Sequence, residues 1–390
     1  MRTMRLIGVL LVGVILGGFA TTQAGQDDLV IRAQTVWTMT QEVIQDGMVL
    51  VRQGKIQAVG QDLDIPDDAT VLDMRQSHVI PGLIDAHSHL GLASNPWAEM
   101  DEAVFAASAD TQVLDAFDPL SDGFEQALRA GVTCGLMAPG NRNPIAGQTA
   151  VVKFCGGTQA AWLLKRDAGL KFSLTHDTLQ YDRRPTSWPG LISFVKEQLD
   201  GARQFDGETF DPQASVLKRV LDKEIPVFLM ANTPEEIGVA LDLIKDYGLD
   251  GRIVGAGQAD EVAQRIAEQA VPVVVASVVR LNKDKDLKRA GQLADAGVKL
   301  AFASLAPGTA TSDLRTSAIY AAKYGLDRDL ALKGLTLHAA ETLGVADRVG
   351  SIEKGKDADL VILGGDPLEL ASAVQVVIVN GKIVFQREGK

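Results

Sequence analysis

Two histidines, His87 and His89, follow a short apolar run in residues 79–91. Side chains at positions i and i+2 of a β-strand point to the same side, so the two imidazoles can converge on one point. Two converging imidazoles supply half of a divalent metal site. The alternative is that the pair ends a strand as two ordinary polar residues. The spacing alone leaves both interpretations open.

The other three histidines differ in position. His78 precedes the apolar run and His338 lies in a helix-like stretch, so we expect structural roles for both. His176, followed by Asp177, comes just after a strand candidate at residues 170–174. A loop at that point could reach the same site and supply a compensating metal ligand from either residue. The alternative is a solvated turn.

Two lysines and a pair of arginines could also take part in binding or catalysis. Lys153 and Lys171 each lie inside an otherwise apolar strand pattern, where a lysine needs a partner or a shifted pKa. Either could instead keep its ammonium group in water at a strand rim. Arg183 and Arg184 could bind an anionic group of a substrate, or they could lie in a solvated loop.

The middle of the chain alternates strand and helix signals, as expected for a barrel that would hold these residues. The strand candidates are residues 80–84, 132–137, 150–154, 170–174, 226–230, 252–254, 271–276 and 299–302. Helical patterns, such as 234–247 behind a capping box, separate many of them. Eight strands with intervening helices predict an α/β fold of the (β/α)8 TIM-like barrel type. The alternative is an open doubly wound sheet, but no Gly-rich dinucleotide fingerprint follows any strand.

Both ends of the chain have strand-and-turn patterns instead. Residues 48–59 predict a hairpin with a glycine turn, and Asn380-Gly381 is a strong hairpin signal near the C-terminus. We therefore expect a small β-sandwich domain from residues 25–79 and 347–390. The barrel domain is expected at residues 80–346.

The N-terminus predicts export. Arg2 and Arg5 precede an uncharged apolar run at residues 6–19, and small residues lead to Ala24. This is typical of a cleaved signal peptide, residues 1–24, and of a periplasmic protein with no membrane contact after cleavage. The apolar run is shorter than the about 20 residues of a membrane span, although an uncleaved anchor is the alternative.

Charge and cysteine content limit the partners and the covalent links. The net charge of −12, without a Lys/Arg-rich block, argues against a nucleic-acid partner. Cys134 and Cys155 are the two cysteines. An oxidising compartment would permit a disulfide between them, but buried free thiols are the simpler expectation.

Several segments together resemble the amidohydrolase superfamily, and in particular its exported, imidazolonepropionase-like branch. They are residues 47–60, 79–91, 139–153 and 348–361. The resemblance implies a barrel with a β-sandwich and a metal-dependent hydrolase of C–N bonds other than peptide bonds, such as amides or cyclic amides. It also implies a small-molecule substrate, one divalent metal with zinc as the expected ion, and a homodimer.

The family also implies a set of metal ligands at the carboxyl ends of the barrel strands. His87 and His89 match the His-x-His of strand 1. Lys153 and Lys171 are both candidates for the often carboxylated lysine, and the sequence does not choose between them. Members then use one histidine each from strands 5 and 6, and an aspartate from strand 8 that takes a proton from metal-bound water.

This chain departs from the pattern at the last three positions. Met230 occupies the histidine position of strand 5, Ala256 lies where strand 6 should supply a histidine, and Leu305 replaces the aspartate of strand 8. A thioether is a poor ligand for such ions, and a leucine cannot accept a proton. We therefore expect a degenerate metal site.

Two functions follow from these departures. The first is a hydrolase with a reduced single-metal site that uses His87, His89 and an unusual third ligand. The second is a catalytically inactive exported paralogue that keeps the barrel as a binding or assembly module. The joint loss of ligands and base favours the second, and whether the chain is an enzyme stays open at this point.

Overall fold

A computed structural model of the protein describes residues 28–92, 100–102, 104–279 and 283–388. The expected signal peptide, residues 1–24, lies outside the described residues. In these ranges, no helix has the length and apolar character that crossing a membrane requires.

Five strands begin the described chain. They are β1 (Leu29–Val36), β2 (Ile44–Gln45), β3 (Met48–Arg52), β4 (Lys55–Gly60) and β5 (Thr70–Pro81). β3 and β4 form the expected hairpin, in which Arg52 pairs with Lys55. Gln53 and Gly54 between them have φ angles of 52° and 77°. A turn with two positive φ angles matches the right-handed twist of the flanking strands.

Eight further strands form a second sheet, in which strands adjacent in sequence are also adjacent in space. They are β6 (Leu83–Ser88), β7 (Val132–Met137), β8 (Ile145–Lys153), β9 (Leu163–Ser173), β10 (Val227–Ala231), β11 (Gly251–Gly255), β12 (Val273–Ala276) and β13 (Leu300–Ala303). Backbone hydrogen bonds join the segments that follow the two edge strands: His89 N–H donates to Ala306 O over 2.8 Å, and Leu305 N–H donates to His87 O over 3.2 Å. The sheet is thereby nearly closed, which confirms the predicted TIM-like barrel.

The third barrel strand, β8, differs from a regular (β/α)8 order because it runs antiparallel to both β7 and β9. Only residues 138–144 separate β7 from β8, whereas a parallel neighbour needs a crossover of about a dozen or more residues. The short connection therefore reverses the chain direction. As a consequence, the carboxyl end of β8, where Lys153 lies, is at the opposite end of the barrel from the carboxyl ends of the other strands.

The last three strands return to the first sheet. They are β14 (Leu360–Leu363), β15 (Val374–Val379) and β16 (Lys382–Gln386). Asn380 and Gly381, with φ angles of 50° and 72°, form the predicted turn between β15 and β16. β14 pairs with β5, so both ends of the chain share one sheet in the order β16-β15-β14-β5-β1-β3-β4, with β2 beside β1. The domain expected as a β-sandwich is thus one hydrogen-bonded sheet around an apolar core that includes Ile31, Val49 and Ile362.

Ten α-helices lie within the described ranges. They are α1 (Asp122–Arg129), α2 (Gln159–Trp162), α3 (Trp188–Arg203), α4 (Pro212–Leu221), α5 (Pro234–Tyr247), α6 (Ala263–Glu268), α7 (Asp284–Asp295), α8 (Asp313–Lys323), α9 (Arg328–Leu335) and α10 (Leu337–Leu343). The start of α5 is the predicted capping box of Thr233 and Glu236, and Gly248 ends the helix with φ 67°. α3 buries Leu191, Val195 and Leu199, whose spacing of four places them on one face of the helix.

The sheet that contains β1–β5 and β14–β16 is here named the terminal sheet. His78 in β5 makes the stability of this sheet depend on pH. Trp37 Nε1 donates a 3.2 Å hydrogen bond to His78 Nδ1, so that nitrogen must be unprotonated. Burial lowers the pKa of His78, and Asp366 opposes this. Because the folded pKa lies below the unfolded value of about 6.5, the stabilisation is complete above that pH and is lost as the pH falls below it.

We therefore expect the free energy of unfolding to fall more steeply between about pH 7 and pH 5 in the wild type than in a His78→Gln variant. Urea unfolding of both proteins at each pH measures the two slopes. Equal slopes would contradict the assigned role of His78.

Candidate functional site

The carboxyl end of β6 brings His87 and His89 together as predicted. Both are buried, and their ring centroids lie 5.4 Å apart with the rings nearly perpendicular, at 87°. His89 Nδ1 donates a 2.8 Å hydrogen bond to Ala138 O, which leaves its Nε2 as the unprotonated nitrogen. Neither ring nitrogen of His87 has a hydrogen-bond partner among the described residues.

Lys171 joins the pair from β9. Its neighbours Leu170 and Phe172 point to the core between barrel and helices, so alternation turns Lys171 toward the barrel interior. Its Nζ donates to Pro139 O over 2.9 Å and to Asn141 Oδ1 over 2.6 Å. Of the two lysines that the sequence left open, Lys171 is therefore the one that lies with the histidines.

Burial shifts the pKa values of all three groups, and the charge of Lys171 adds to the shift of the two histidines. Burial lowers the pKa of Lys171 to about 7, against the opposing charge of Asp101. Burial, followed by the charge of Lys171, lowers the pKa of His89 to about 3 and that of His87 well below its usual value. Both imidazoles are therefore neutral at neutral pH.

The connection between β7 and β8, residues 138–144, positions these groups and is here named the mouth loop. Its Ala138 and Pro139 carbonyls accept the bonds from His89 and Lys171. Asp101 packs against Gly140, where an added Cβ would lie 2.1 Å from the carboxylate, so a side chain is excluded there. The Arg142 N–H donates to Asp101 Oδ1 over 3.2 Å. Burial raises the pKa of Asp101.

Asp85 ties the first barrel strand to the last. Its Oδ1 accepts the Ser304 N–H over 2.9 Å and the His87 N–H over 3.3 Å, and its Oδ2 accepts the Ser304 hydroxyl. Burial raises the pKa of Asp85 to about 6. The carboxylate therefore holds the backbone of His87 beside the end of β13.

We expect Asp85→Ala to lower the free energy of unfolding by about 1–3 kcal/mol, because the buried donors of Ser304 and His87 lose their acceptor. Urea unfolding measures the change. Asp73→Ala is the matched control, since Asp73 is an exposed aspartate in β5. A loss no larger than that of the control would show that these bonds do not stabilise the barrel.

The three positions that depart from the family pattern, Met230, Ala256 and Leu305, lie at or just after the carboxyl ends of β10, β11 and β13. Met230 belongs to the apolar cluster of the barrel interior, and Leu305 packs against the same cluster. Ala256 is fully buried. The backbone is left-handed at Ala256 and Leu305, with φ angles of 56° and 57°. Asn, Asp and His adopt this conformation more often than other residues with a side chain, so the backbone at both positions suits the residue types that the family pattern predicts there.

The described residues do not fit a catalytic zinc site. The unpartnered nitrogens of His87 are compatible with a ligand, but such a site needs three protein ligands and an open position. Across the described ranges, no group of three or more His, Cys, Asp or Glu side chains is arranged to hold a metal ion. Lys171 beside the pair is an unmodified amine and no ligand in that form; only the carboxylated form that the family pattern implies would add a third ligand. These side chains therefore do not support a hydrolytic step on a bound metal ion.

Lys153, the other lysine candidate, lies elsewhere. Its Nζ is bound by Asp357 Oδ2 at 2.8 Å, Asp359 Oδ1 at 2.9 Å and Asn380 Oδ1 at 2.6 Å, all from the terminal sheet domain. The reversed direction of β8 takes its carboxyl end away from the mouth. The structure therefore does not bring Lys153 to the histidines, and its partners make it an ionic link between the two sheets.

His176 and Asp177 are also not brought to the pair. Both lie in a 3-10 helix (His176–Thr178) and are exposed, with 69% of the His176 side chain accessible. The His176 ring stacks on Trp188 with centroids 5.2 Å apart, and its Nδ1 lies 3.4 Å from Glu236 Oε1. Packing against the starts of α3 and α5 thus holds His176 outside the buried site.

The two arginines have separate surroundings. Arg183 Nη2 donates to Arg142 O and to Asn143 Oδ1, both over 2.8 Å, so this side chain lies on the mouth loop. Burial lowers the pKa of Arg183. Arg184 is exposed and lies 3.3 Å from Glu197 on α3. A substrate contact at the mouth stays a prediction for Arg183, whereas Arg184 faces the helix layer.

The sequence interpretation missed Asp85, Asp101 and Asn141 as parts of the site. Asp85 had a detectable signal, since it is a carboxylate inside an apolar strand two residues before His87. Asn141 lies in the segment 139–153 that carries the family resemblance, but nothing in the sequence indicated that loops bring Asn141 and Asp101 to Lys171.

A small cavity adjoins His89 but not His87. Its volume is about 270 Å³, and its lining includes His89, Leu92, Asp118, Asp122 and Pro307. A larger cavity of about 640 Å³ lies between α3 and α4 and includes none of the site residues.

Both cysteines are thiols remote from this chemistry. Cys134 is buried in β7 and Cys155 is half-buried after β8. Burial raises the pKa of both thiols, that of Cys155 to about 11. Neither is therefore an activated nucleophile.

Known proteins resemble this chain in sequence and in fold. The profile described as "Amidohydrolase family" matches residues 232–384. The crystal structure of an amidohydrolase from Thermotoga maritima MSB8 is 30% identical with a TM-score of 0.85, over 92% of this chain and all of that one. The imidazolonepropionase of Rhizobium meliloti is 28% identical over 84% of this chain and 88% of that protein. Amidohydrolase tasK of Hapsidospora irregularis is 24% identical over 87% of this chain, which spans 40% of that longer protein.

The solved amidohydrolase structure aligns over 92% of this chain, and the matches together confirm the resemblance predicted from the sequence. The chain belongs to the amidohydrolase family, in its imidazolonepropionase-like branch.

Proposed function

We propose that the protein is a small-molecule-binding member of the amidohydrolase family that has lost metal-dependent hydrolysis. The observation that supports this most directly is the set of side chains at the ends of β10 and β13. Met230 and Leu305 pack in the apolar interior where the family pattern has a ligand and a base. An exported, periplasmic location remains part of the proposal.

The chemistry of hydrolysis supports the same conclusion. Cleavage of a C–N bond by water needs an activated water molecule and an acceptor for its proton. The Asp85 carboxylate, close to His87 in sequence, is occupied by Ser304 and holds the barrel strands together. Leu305 offers no acceptor. Among the described residues of the barrel mouth, the aspartate of strand 8 and the histidines of strands 5 and 6 that the family pattern implies are replaced by Leu305, Met230 and Ala256.

One observation favours a second function, a hydrolase with a reduced single-metal site. Both ring nitrogens of the buried His87 lack a partner among the described residues, as a metal ligand would in the absence of its ion. That function would need a third ligand beyond His87 and His89.

Zinc analysis of the purified chain separates the two functions. We expect less than about 0.1 zinc per chain after expression in zinc-supplemented medium and purification without chelators, measured by inductively coupled plasma mass spectrometry. The comparison set is a His87→Ala/His89→Ala variant and a His176→Ala control. One zinc per chain in the wild type and the control, lost in the double variant, would overturn the proposed loss of the metal site.

A further inference from the structure

The cavity of about 270 Å³ beside His89, here named the side cavity, has an acidic lining. Asp118 lies in the loop before α1, and Asp122 is the first residue of that helix. Among the described residues, no lysine or arginine lines the cavity. Asp118 Oδ1 accepts the Leu120 N–H over 2.9 Å, and neither carboxylate forms an ion pair within the described ranges. The lining therefore carries negative charge that no described cation balances.

His89 presents a buried hydrogen-bond acceptor to the same cavity. Its side chain lines the cavity although the residue is only 7% exposed. Nδ1 donates to Ala138 O over 2.8 Å, so Nε2 carries the lone pair of the neutral ring. No group in the described part of the chain donates to Nε2. Because a buried acceptor without a partner is unfavourable, this nitrogen favours a ligand that brings a donor.

The ammonium of Lys171 does not reverse this charge pattern, although its charge reaches His89. Lys171 lies outside the cavity lining, and its Nζ donates to Pro139 O and Asn141 Oδ1. The opposite charge that acts on it is that of Asp101. The polar groups that a ligand would meet in the cavity are thus mainly acceptors, and two of them are anionic. They favour a cation with several N–H donors.

The rest of the side cavity supplies apolar surface for a small ligand. Leu90 and Leu92 are buried in its wall, whereas Leu120 and Pro307 are exposed. Leu120 is 82% exposed, so a hydrocarbon group that covers it would remove apolar surface from water. The volume lies just below the range of about 300–1,000 Å³ that is usual for small-molecule sites. The ligand is therefore small and has an apolar part beside its charge.

Building on the proposed binding function, we propose that the side cavity binds the primary ammonium group of a small organic amine. The ammonium donates to the carboxylates of Asp118 and Asp122 and to His89 Nε2, and the hydrocarbon part covers Leu120. A primary ammonium has three N–H donors, which matches these three acceptors. Charge-assisted hydrogen bonds of this kind are stronger than neutral ones.

Thermal unfolding of the intact chain tests this proposal. The probe is n-propylammonium chloride, and sodium chloride at equal concentration is the reference for ionic strength. Tetramethylammonium chloride is a second reference, because this cation has no N–H donor. A ligand that binds only the folded state raises Tm. We expect propylammonium at saturation to raise Tm by about 2 °C or more over both references.

Two variants and one control assign the effect to the side cavity. Asp118→Asn and Asp122→Asn should each lose most of the rise, since an amide keeps the shape and removes the charge. Asp118→Asn also retains an oxygen that can accept the Leu120 N–H, and Asp122 is exposed, so both variants should fold. Asp115→Asn changes an exposed aspartate of the same segment that does not line the cavity, and it should keep the rise.

Measuring zinc in the same samples separates this inference from the proposed function. Zinc-free wild type that propylammonium stabilises no more than sodium chloride would overturn the inference alone. The inference would also be overturned by an equal rise with tetramethylammonium, or by a full rise in both Asp118→Asn and Asp122→Asn. One zinc per chain, lost in the His87→Ala/His89→Ala variant, would overturn the proposed function and this inference with it, because zinc would then occupy His89.

Discussion

Replacing Lys153 with methionine is expected to lower the free energy of unfolding by about 3–5 kcal/mol, the usual loss when one partner of a buried ion pair is removed. The Lys153 ammonium is fully buried and contacts the carboxylates of Asp357 and Asp359. The Asp359 carboxylate is destabilised most by the substitution. Burial raises its pKa, and the charge of Lys153 is the main influence that lowers it. The variant leaves that carboxylate buried without its cation.

Lys55→Met is the matched control, since Lys55 pairs with the same Asp357 but is 49% exposed. Exposed pairs contribute about 1 kcal/mol or less. A Lys153→Met/Asp359→Asn double variant should recover part of the loss, because it removes the orphaned charge as well. Urea unfolding followed by far-ultraviolet circular dichroism measures all three. A Lys153→Met loss no greater than that of Lys55→Met would refute the ionic link between the sheets.

A Met230→His/Leu305→Asp variant is expected to bind about one zinc per chain, in contrast to the wild type. Together with His87 and His89 it would supply three imidazoles and a carboxylate, a complete four-ligand set. Leu305 already has a left-handed backbone, which aspartate adopts more readily than leucine, and its N–H bonds to His87 O. The added carboxylate would also offset the charge of Lys171.

Each single variant is a control, because each supplies three protein ligands instead of four, so we expect a zinc affinity between those of the wild type and the double variant. Met230→His/Leu305→Asn is a sharper control that keeps the shape and the backbone preference but lacks the carboxylate charge, so weaker zinc binding is expected. Titration against a chromophoric zinc chelator measures the affinities. Zinc binding by the double variant no stronger than that of the wild type would show that the mouth no longer has metal-binding geometry.

Local patterns allowed much of the fold to be predicted from the sequence. The Asn380-Gly381 turn, the Thr233 capping box and most strand positions depend on interactions within a few residues, and these form as expected. The convergence of His87 and His89 depends on the two-residue period of a strand. The residue types at positions 230, 256 and 305 are also plain in the sequence, once the family pattern is known.

The roles of Lys153 and Lys171 could not be predicted in this way. Both occupy apolar strand patterns, and nothing local separates them. The two lysines reach different ends of the barrel because their strands run in opposite directions. The short connection at residues 138–144 reverses β8, so Lys153 lies beside the carboxylates of the terminal sheet. β9 runs the other way, so Lys171 reaches the mouth loop.

The sequence by itself therefore determined the family, the barrel and the histidine pair, since all of these follow from residue identity and local spacing. Only the tertiary structure decided which lysine joins His87 and His89, and that His176 stacks on Trp188 outside the site. The physical reason is that burial, charge proximity and hydrogen-bond partners depend on contacts between segments far apart in the chain. Those contacts place Lys171, and not Lys153, beside the histidine pair.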